Sequence, residues 1–449
     1  MRSSRRLVLD LSAGGGDDKG MTAPAVDLLT DLDQRGLVHD STDRAALAAR
    51  LATGPLTLYC GFDPTADSLH VGSLVPILGL RRFQLAGHRP IALAGGATGM
   101  IGDPSGKSAE RNLLDAATLE ANLAGIAGQL ERLLDFGPGS SRALLVDNNR
   151  WTSDVRLVDF LREVGKHVTV NQMVAKDSVR SRMEGTEGIS FTEFSYMLLQ
   201  AHDYWWLAEH EACELQVGGS DQWGNITAGI DLIRRRSGRS VHGLTFPLVT
   251  RSDGAKYGKT AEGTIWLDAA RTSPYRFYQY WMQVDDRDVE RFLLQITLLS
   301  VADARALAAE HRAAPERRLG QRALAEHVTA LVHGQDEARA AEAASLILFG
   351  ADLDQISEAV IATLAGEVGT TTVARGRFEA GLDLPDVLVE TGLAASRGAA
   401  RRDIDQGGVY VNNRRVDPTL GAMSGADLLF GRWVLLRKGK RNYHLLEVS

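Results

Sequence analysis

The chain has 449 residues, 44% apolar and 24% charged, with a formal net charge of −7. That size accommodates about two to four domains with a large core. The charge excludes a uniformly basic nucleic-acid binder and leaves room only for a local basic patch. Cys60 and Cys213 stand far apart without metal-site spacing, which argues against a disulfide framework or a zinc site and for a reducing cytoplasm. No apolar run approaches membrane-spanning length, so no membrane association is expected.

Residues 1–20 combine Arg2, Arg5 and Arg6 with a short apolar run and Gly14-Gly15-Gly16-Asp17-Asp18. The run is too short for a secretory h-region and reads as a disordered extension, with Met21 an alternative start. Residues 25–53 read as amphipathic helices with Leu28, Leu29, Leu32, Leu47 and Leu51 inward. A strand over Leu56–Cys60, a helix over Leu74–Leu85 with Gly87 as its cap, and a strand over Ile91–Ala94 follow. Strand, loop, helix, strand is the pattern of a parallel βαβ unit. Its loop carries Tyr59 to Ser73, YCGFDPTADSLHVGS, and places His70 and Gly72 at a helix N-terminus, where free N–H groups attract phosphate. HVGS alone is a weak pattern, and an ordinary βα loop with a stray histidine reads the same way.

Next comes GGATGMIGDPSGKS, residues 95–108. A P-loop would need glycine where Ile101 stands, so the stretch reads as a flexible glycine-rich loop carrying Asp103, Lys107 and, just beyond, Arg111. Residues 112–135 read as helix and Leu144–Val146 as strand. Ser190-Phe191-Thr192-Glu193 is a capping box opening a helix to about His210. On it Tyr196, Gln200 and Asp203 share a face, amid Phe194, Leu198, Tyr204, Trp205 and Trp206. A solvated polar face would explain the three; so much aromatic surface suggests a lined pocket instead. A strand over Leu215–Val217 turns at Gly218-Gly219-Ser220-Asp221 into a helix ending at Gly238. Thr245–Thr250 is expected as a strand leading to Lys256-Tyr257-Gly258-Lys259-Thr260. From about Ser273 to residue 350 helix patterns dominate, and residues 351–383 read as a linker with helical pieces. The tail, 384–449, reads as two short helices, Pro385–Thr391 and Arg397–Gln406, then a hairpin turning at Asn412-Asn413. Ten basic residues against seven acidic ones give this unit +3. An arginine-studded helix beside a basic hairpin fits RNA backbone binding through Arg401, Arg402, Arg414 and Arg415, although a solvated charged face would look alike.

Taken together, HVGS resembles the HIGH signature of class I aminoacyl-tRNA synthetases, and KYGKT resembles their KMSKS loop. GGATGMIGDPSGKS, GISFTEFSYMLLQAHD and LQVGGSDQWGNITAG resemble bacterial tyrosyl-tRNA synthetases from about Leu28 to the C-terminus. Ser73 replaces the final histidine of HIGH, which bears only on a secondary ATP contact. The resemblance implies a Rossmann-like α/β catalytic domain over 21–250, a KMSKS-like connector over 251–272, a helical tRNA-binding domain over 273–350, and an S4-like α+β domain over 384–449. It implies tyrosine activation by ATP, with Mg2+ accompanying the nucleotide and no protein-bound metal, then transfer to tRNA(Tyr), in a cytoplasmic homodimer. By that resemblance Thr65, His70, Lys107, Arg111, Lys256 and Lys259 serve the phosphates. Cys60, Gly219 and Asp221 hold the ribose and Gly72 the adenine, with Gly61, Asp63 and Ser73 also on the ATP side. Asp221 would serve equally as a helix cap. Asp103, Tyr196 and Gln200 take the tyrosine ammonium, Gln222 its carboxylate, and Tyr59 and Asp203 its phenol. Two rivals remain at this level: the tryptophanyl relative, and a synthetase-derived RNA-binding or splicing protein with little charging activity.

Overall fold

The computed structural model describes residues 27–105, 114–185, 188–250, 252, 259–260, 263–353, 356–418 and 422–449. The extension 1–20, Met21, Lys107, Arg111 and Lys256 lie outside them, as does the side chain of Lys259.

Six strands form the first sheet: β1 (Asp40–Ser41), β2 (Thr57–Phe62), β3 (Arg89–Ala94), β4 (Leu144–Asp147), β5 (Cys213–Gly219) and β6 (His242–Phe246), in the order β1-β6-β5-β2-β3-β4. All neighbours are parallel except the edge pair β1 and β6. β3 is buried over Pro90–Ala94, as a strand covered on both faces must be. The crossover helix Leu74–Leu85 is buried on most of its surface. Gly79 lets it pass Phe246, whose ring atom would stand 2.3 Å from a Cβ at that position. The chain leaves β2 toward β3 on one side and returns at β5 on the other. That reversal opens a crevice at the carboxyl ends of the strands, where such sheets take ligands.

Three sequence expectations are corrected here. The strand expected over Thr245–Thr250 lies instead at His242–Phe246, and Pro247, without an N–H, follows its last residue. Residues 95–99 are not a loose loop but a buried helical turn, Gly96–Gly99. The Ser190 hydroxyl does accept from the Glu193 N–H at 3.2 Å, but the Glu193 carboxylate pairs with buried Arg182.

Helices at Pro274–Met282, Val289–Ile296, Val301–Ala313, Leu319–His333 and Gln335–Leu348 follow. Their apolar faces share one core with the sheet domain, reaching from Leu29 to Ala341. Two buried guanidiniums bind the units together: Arg35 donates to the carbonyls of Leu294 (3.1 Å) and Leu299 (2.9 Å), and Arg82 to those of Leu294 (3.3 Å) and Thr297. They satisfy the carbonyl end of the Val289–Ile296 helix and complement its dipole.

A short hairpin pairs β7 (Lys259–Thr260) with β8 (Gly263–Thr264). The second large sheet holds β9 (Gly369–Val373), β10 (Val409–Val411), β11 (Arg414–Arg415), β12 (Trp433–Lys438) and β13 (Asn442–Val448), in the order β11-β10-β12-β13-β9. β9 lies in the stretch expected to be a linker, yet it pairs in parallel with β13 from Gly369 to Val373. The helix Glu358–Glu367 precedes it, so 351–383 contributes a helix and a strand to the tail unit. Helices Leu384–Glu390 and Arg397–Asp405 cover this sheet around Leu388, Ile404, Val434 and Leu446.

Candidate functional site

The crevice is a cleft of about 450 Å³ at the ends of β2, β3 and β5. Three runs of backbone make its walls: the loop after β2, the turn after β5, and the helix Phe191–His210.

The loop after β2 carries Thr65, His70, Gly72 and Ser73 to the rim. His70 caps the turn Val71–Ser73, its Nδ1 accepting from the Gly72 N–H at 3.0 Å. A Cβ at Gly72 would stand 2.7 Å from the His70 ring, so this close turn needs glycine. The Val71 N–H donates to the Ile265 carbonyl (3.1 Å) and the Leu267 N–H to the Leu69 carbonyl (2.8 Å). The HVGS stretch is thus hydrogen-bonded to the segment that leaves the KYGKT hairpin β7–β8. Trp266, in that segment, lines the cleft with the Arg271 guanidinium 3.7 Å from its ring centroid, and Arg271 pairs with Asp67 at 2.6 Å.

Deeper in, a polar chain runs unbroken. The Tyr196 hydroxyl donates to Asp63 Oδ2 (2.7 Å), and the Thr98 hydroxyl to Asp63 Oδ1 (2.7 Å). Asn148 Nδ2 reaches Thr98 Oγ1 (3.0 Å) and Asp203 Oδ2 (2.9 Å). The Trp151 indole N–H donates to Asp203 Oδ1 at 2.8 Å. Glycine is required beside this chain: a Cβ at Gly95 would lie 2.1 Å from Asp63 Oδ1. Burial pushes the Asp203 carboxyl up to about 7, opposed by the bonds from Asn148 and Trp151. Burial likewise raises the Tyr196 and Tyr59 phenols far above their ordinary value, with Asp63 adding for Tyr196 and Asp203 for Tyr59. Both stay protonated, as hydrogen-bond donors must.

Tyr59 is the exception to the pairing. Its hydroxyl is buried in the cleft wall without a partner, and so is Gln216 Oε1. The expected pair of Tyr59 and Asp203 is therefore asymmetric: Asp203 is held by two donors and Tyr59 is free.

A second network lies above. Gln222 Nε2 donates to Asp103 Oδ2 (2.6 Å), and Gln222 Oε1 accepts from Gln200 (3.3 Å) and Asn225 (3.2 Å). The Ser105 N–H holds Asp103 Oδ1 at 2.9 Å. Asp103, Gln200 and Gln222, far apart in sequence, thus meet. Cys60, Gly61, Gly219 and Asp221 line the same cleft. Burial lifts the Cys60 thiol to about 12, so it faces the cleft as S–H. Asp221 sits within the turn Ser220–Gln222, before the helix Trp223–Ser237.

Sequence reasoning missed Thr98, Asn148, Trp151, Gln216 and Trp266. The usable signal was a polar residue set in or just past an apolar strand, Gln216 in β5 and Asn148 after β4. None of Arg401, Arg402, Arg414 and Arg415 lines the cleft, and all four are exposed. Among the described residues no three His, Cys, Asp or Glu side chains gather as a metal site, and no helix is long and apolar enough to cross a membrane.

Residues 51–350 match the family described as tRNA synthetases class I (W and Y), and residues 361–446 match the tyrosine–tRNA ligase SYY-like C-terminal domain. The tyrosine–tRNA ligase of Opitutus terrae is 56% identical over 422 residues, 94% of this chain and 99% of that protein. That of Geobacillus stearothermophilus is 51% identical over 94% of this chain and 100% of its own length. A C-terminally truncated mitochondrial tyrosyl-tRNA synthetase of Aspergillus nidulans superposes with a TM-score of 0.65 at 32% identity, covering 72% of this chain and 94% of its own. A tryptophanyl enzyme of Encephalitozoon cuniculi shares the fold, with a TM-score of 0.52, at only 14% identity. The match to the tyrosine–tRNA ligase C-terminal domain and the relatives at 51–56% identity over 94% of the chain decide between the two, and the chain belongs to the tyrosine–tRNA ligases of class I.

Proposed function

We propose that the cleft seats L-tyrosine with its phenol against Tyr59 and Asp203, and MgATP along the loops of His70 and Asp221. The observation that carries this reading is the Tyr59 hydroxyl, buried and unpartnered in the same cleft wall as the Asp203 carboxylate that two donors hold. A buried donor without a partner costs free energy that a ligand phenol would recover. Phenylalanine would leave that group unpaired, and the discrimination of tyrosine from phenylalanine by such an enzyme is itself the standard illustration of this logic.

In this reading Asp103, Tyr196 and Gln200 take the ammonium, and Gln222 orients the carboxylate. A carboxylate oxygen attacks the α-phosphorus of ATP, the bond to pyrophosphate breaks, and tyrosyl-adenylate forms. Thr65 and His70 bind the departing phosphates beside a helix N-terminus, with Lys107, Arg111, Lys256 and Lys259 supplying the cations. Cys60, Gly219 and Asp221 hold the ribose; Gly61, Asp63, Gly72 and Ser73 complete the nucleotide side. The Mg2+ travels with the ATP phosphates as part of the substrate. A terminal ribose hydroxyl of tRNA(Tyr) then attacks the tyrosyl carbonyl and AMP leaves. Positioning and charge stabilisation suffice for both steps.

We also assign a homodimer. Leu157, Val158, Leu161 and Phe191 are 73%, 63%, 50% and 79% exposed around a cluster in which Phe160 and Phe194 are half-buried. The helix Leu157–Glu163 buries none of its residues within one chain. An apolar patch of this kind fits a second copy. The buried thiols of Cys60 and Cys213 suit a reducing cytoplasm. ATP–pyrophosphate exchange with each standard amino acid tests the main reading. Tyrosine alone should support exchange, and equal exchange with tryptophan or phenylalanine would overturn it.

A further inference from the structure

The hairpin of β10 and β11 turns on two asparagines, both in the left-handed region: Asn412 at φ 50 and Asn413 at φ 58. A two-residue turn of this hand needs only the backbone, and glycine would serve the second position at least as well. The side chains explain why asparagine stands at both. Asn412 ties the turn to its own sheet: its Nδ2 donates to the Asp427 carbonyl (2.7 Å), and its Oδ1 accepts from the Leu435 N–H (2.9 Å). Asn413 reaches the other way. The residue is 8% exposed, and its Nδ2 donates to the carbonyls of Ile347 and Ala351, both at 2.9 Å.

Those carbonyls belong to the end of the Gln335–Leu348 helix and the turn beyond it, where Gly350 has φ 94. The turn closes on itself through the Gly350 N–H to Ile347 (2.8 Å) and the Ala351 N–H to Leu346 (3.0 Å), and a different structural unit adds further donors to the carbonyls at this helix end. The Tyr443 hydroxyl adds another to Ile347 at 3.1 Å. Beneath these bonds lies an apolar seam: Ala340, Ala344 and Ile347 of the helix against Trp433, Leu435 and Leu445 of the sheet. Apolar contact is non-directional and holds two surfaces together without fixing their angle. Directional bonds fix it: Ser273 and Arg276 (3.0 Å) hold Glu367 of the helix Glu358–Glu367 at one place, and at the hairpin the Asn413 amide forks onto two carbonyls. Arg414 and Arg415, the next residues along, are exposed.

We propose that Asn413 is a positioning residue for tRNA: its clamp on the end of the Gln335–Leu348 helix sets the angle at which Arg414 and Arg415 meet the RNA backbone. This rests on the reading of the tail unit as an RNA-binding surface. The amide touches no substrate. It converts a charged hairpin into one held at a fixed orientation to the cleft, so that binding at the tail delivers the tRNA end to the adenylate.

Full-length Asn413→Gly tests this, because glycine keeps the left-handed backbone and removes only the clamp. Asn413→Asp keeps the shape but cannot donate and places negative charge on the carbonyl end. Four readouts are taken on each: amide hydrogen exchange at Gly350 and Ala351, whose own N–H bonds to Ile347 and Leu346 report how tightly the clamped turn is held, ATP–pyrophosphate exchange, tRNA charging, and the salt dependence of tRNA binding. Asn413→Gly should lose protection at Gly350 and Ala351 and raise the tRNA KM roughly three- to tenfold, the worth of a lost hydrogen bond. Pyrophosphate exchange and the salt slope of tRNA binding should stay as in the parent chain, since no charge has changed. Asn413→Asp should raise KM further. Lost protection with an unchanged tRNA KM would overturn the proposal, and so would protection that survives the substitution. In parallel, Arg414→Gln with Arg415→Gln must flatten the salt slope. If they leave tRNA binding untouched, it is the RNA-surface reading beneath the proposal that fails.

Discussion

The cleft and the tail sheet handle their polar side chains in opposite ways. Around the cleft Asp63, Asp203 and Asp103 are held by neutral donors, from Tyr196 and Thr98, Asn148 and Trp151, and Gln222 respectively. In the tail Arg401 and Arg402, on the helix Arg397–Asp405, and Arg414 and Arg415, on β11, are exposed over a shared apolar core. The first arrangement suits a small ligand. Donors and acceptors fixed before binding cost little to order, and a wrong ligand leaves one of them bare. The second suits a long polyanion, whose charges are many and whose binding depends on salt. A buried network therefore fails by losing one bond, and an exposed patch fails by degrees.

That contrast is broken most severely by Asp203→Ala. It strips the acceptor from the Trp151 indole and from Asn148 inside the wall, at roughly 1–3 kcal/mol for each buried donor left unpaired. Tyrosine kcat/KM in pyrophosphate exchange should fall by orders of magnitude, and the melting temperature should drop with it. A small effect on both would mean that the network is not what shapes the cleft.

Tyr59→Phe is gentler, because it removes a hydroxyl that has no partner within the chain. Folding stability should hold or rise slightly. Tyrosine should lose about 0.5–1.5 kcal/mol of transition-state binding while phenylalanine loses nothing. Unchanged discrimination between the two amino acids would remove Tyr59 from the phenol site.

The smallest effect is a displaced pH profile. Asp203 stands at about 7 in the folded chain against 3.8 when free. Between those values the folded state holds the extra proton, so this carboxyl's contribution to stability falls as pH rises from about 4 to about 7. Tyrosine binding should run the other way and strengthen as the carboxylate ionises and accepts the phenol. Trp151→Phe removes a donor to the ionised form and should move the midpoint of the tyrosine KM profile up by about one unit. A midpoint that stays put would show that Trp151 packs without tuning the charge.

What could be read from sequence follows the range of the forces involved. The helix Leu74–Leu85 and the turn at Asn412-Asn413 are set by local periodicity and local backbone preference, and both stand where those predict. Tyr196, Gln200 and Asp203 share a helix, so their spacing carried their common face. The link from Thr98 through Asn148 to Asp203 joins residues that follow β3 and β4 to one on the helix Phe191–His210, and no spacing rule foretells which segments will meet. β9 was hidden for the same reason: five residues of GTTTV make a strand only because β13, some 70 residues later, lies beside them. The His70 and KYGKT stretches showed their likeness to known signatures but not the hydrogen bonds from Val71 and Leu267 that join their surroundings.

The division of labour between cleft and tail is tested most directly on one preparation of the full chain with Arg401, Arg402, Arg414 and Arg415 changed to glutamine. ATP–pyrophosphate exchange and tRNA charging are measured side by side across a range of salt. Exchange with tyrosine should match the parent chain, because every group proposed for adenylate formation lies elsewhere. Charging should lose tRNA affinity, and the slope of log affinity against log salt should become shallower by up to about three. Charging at the full rate with an unchanged slope would contradict the account, as would a loss of exchange in step with charging.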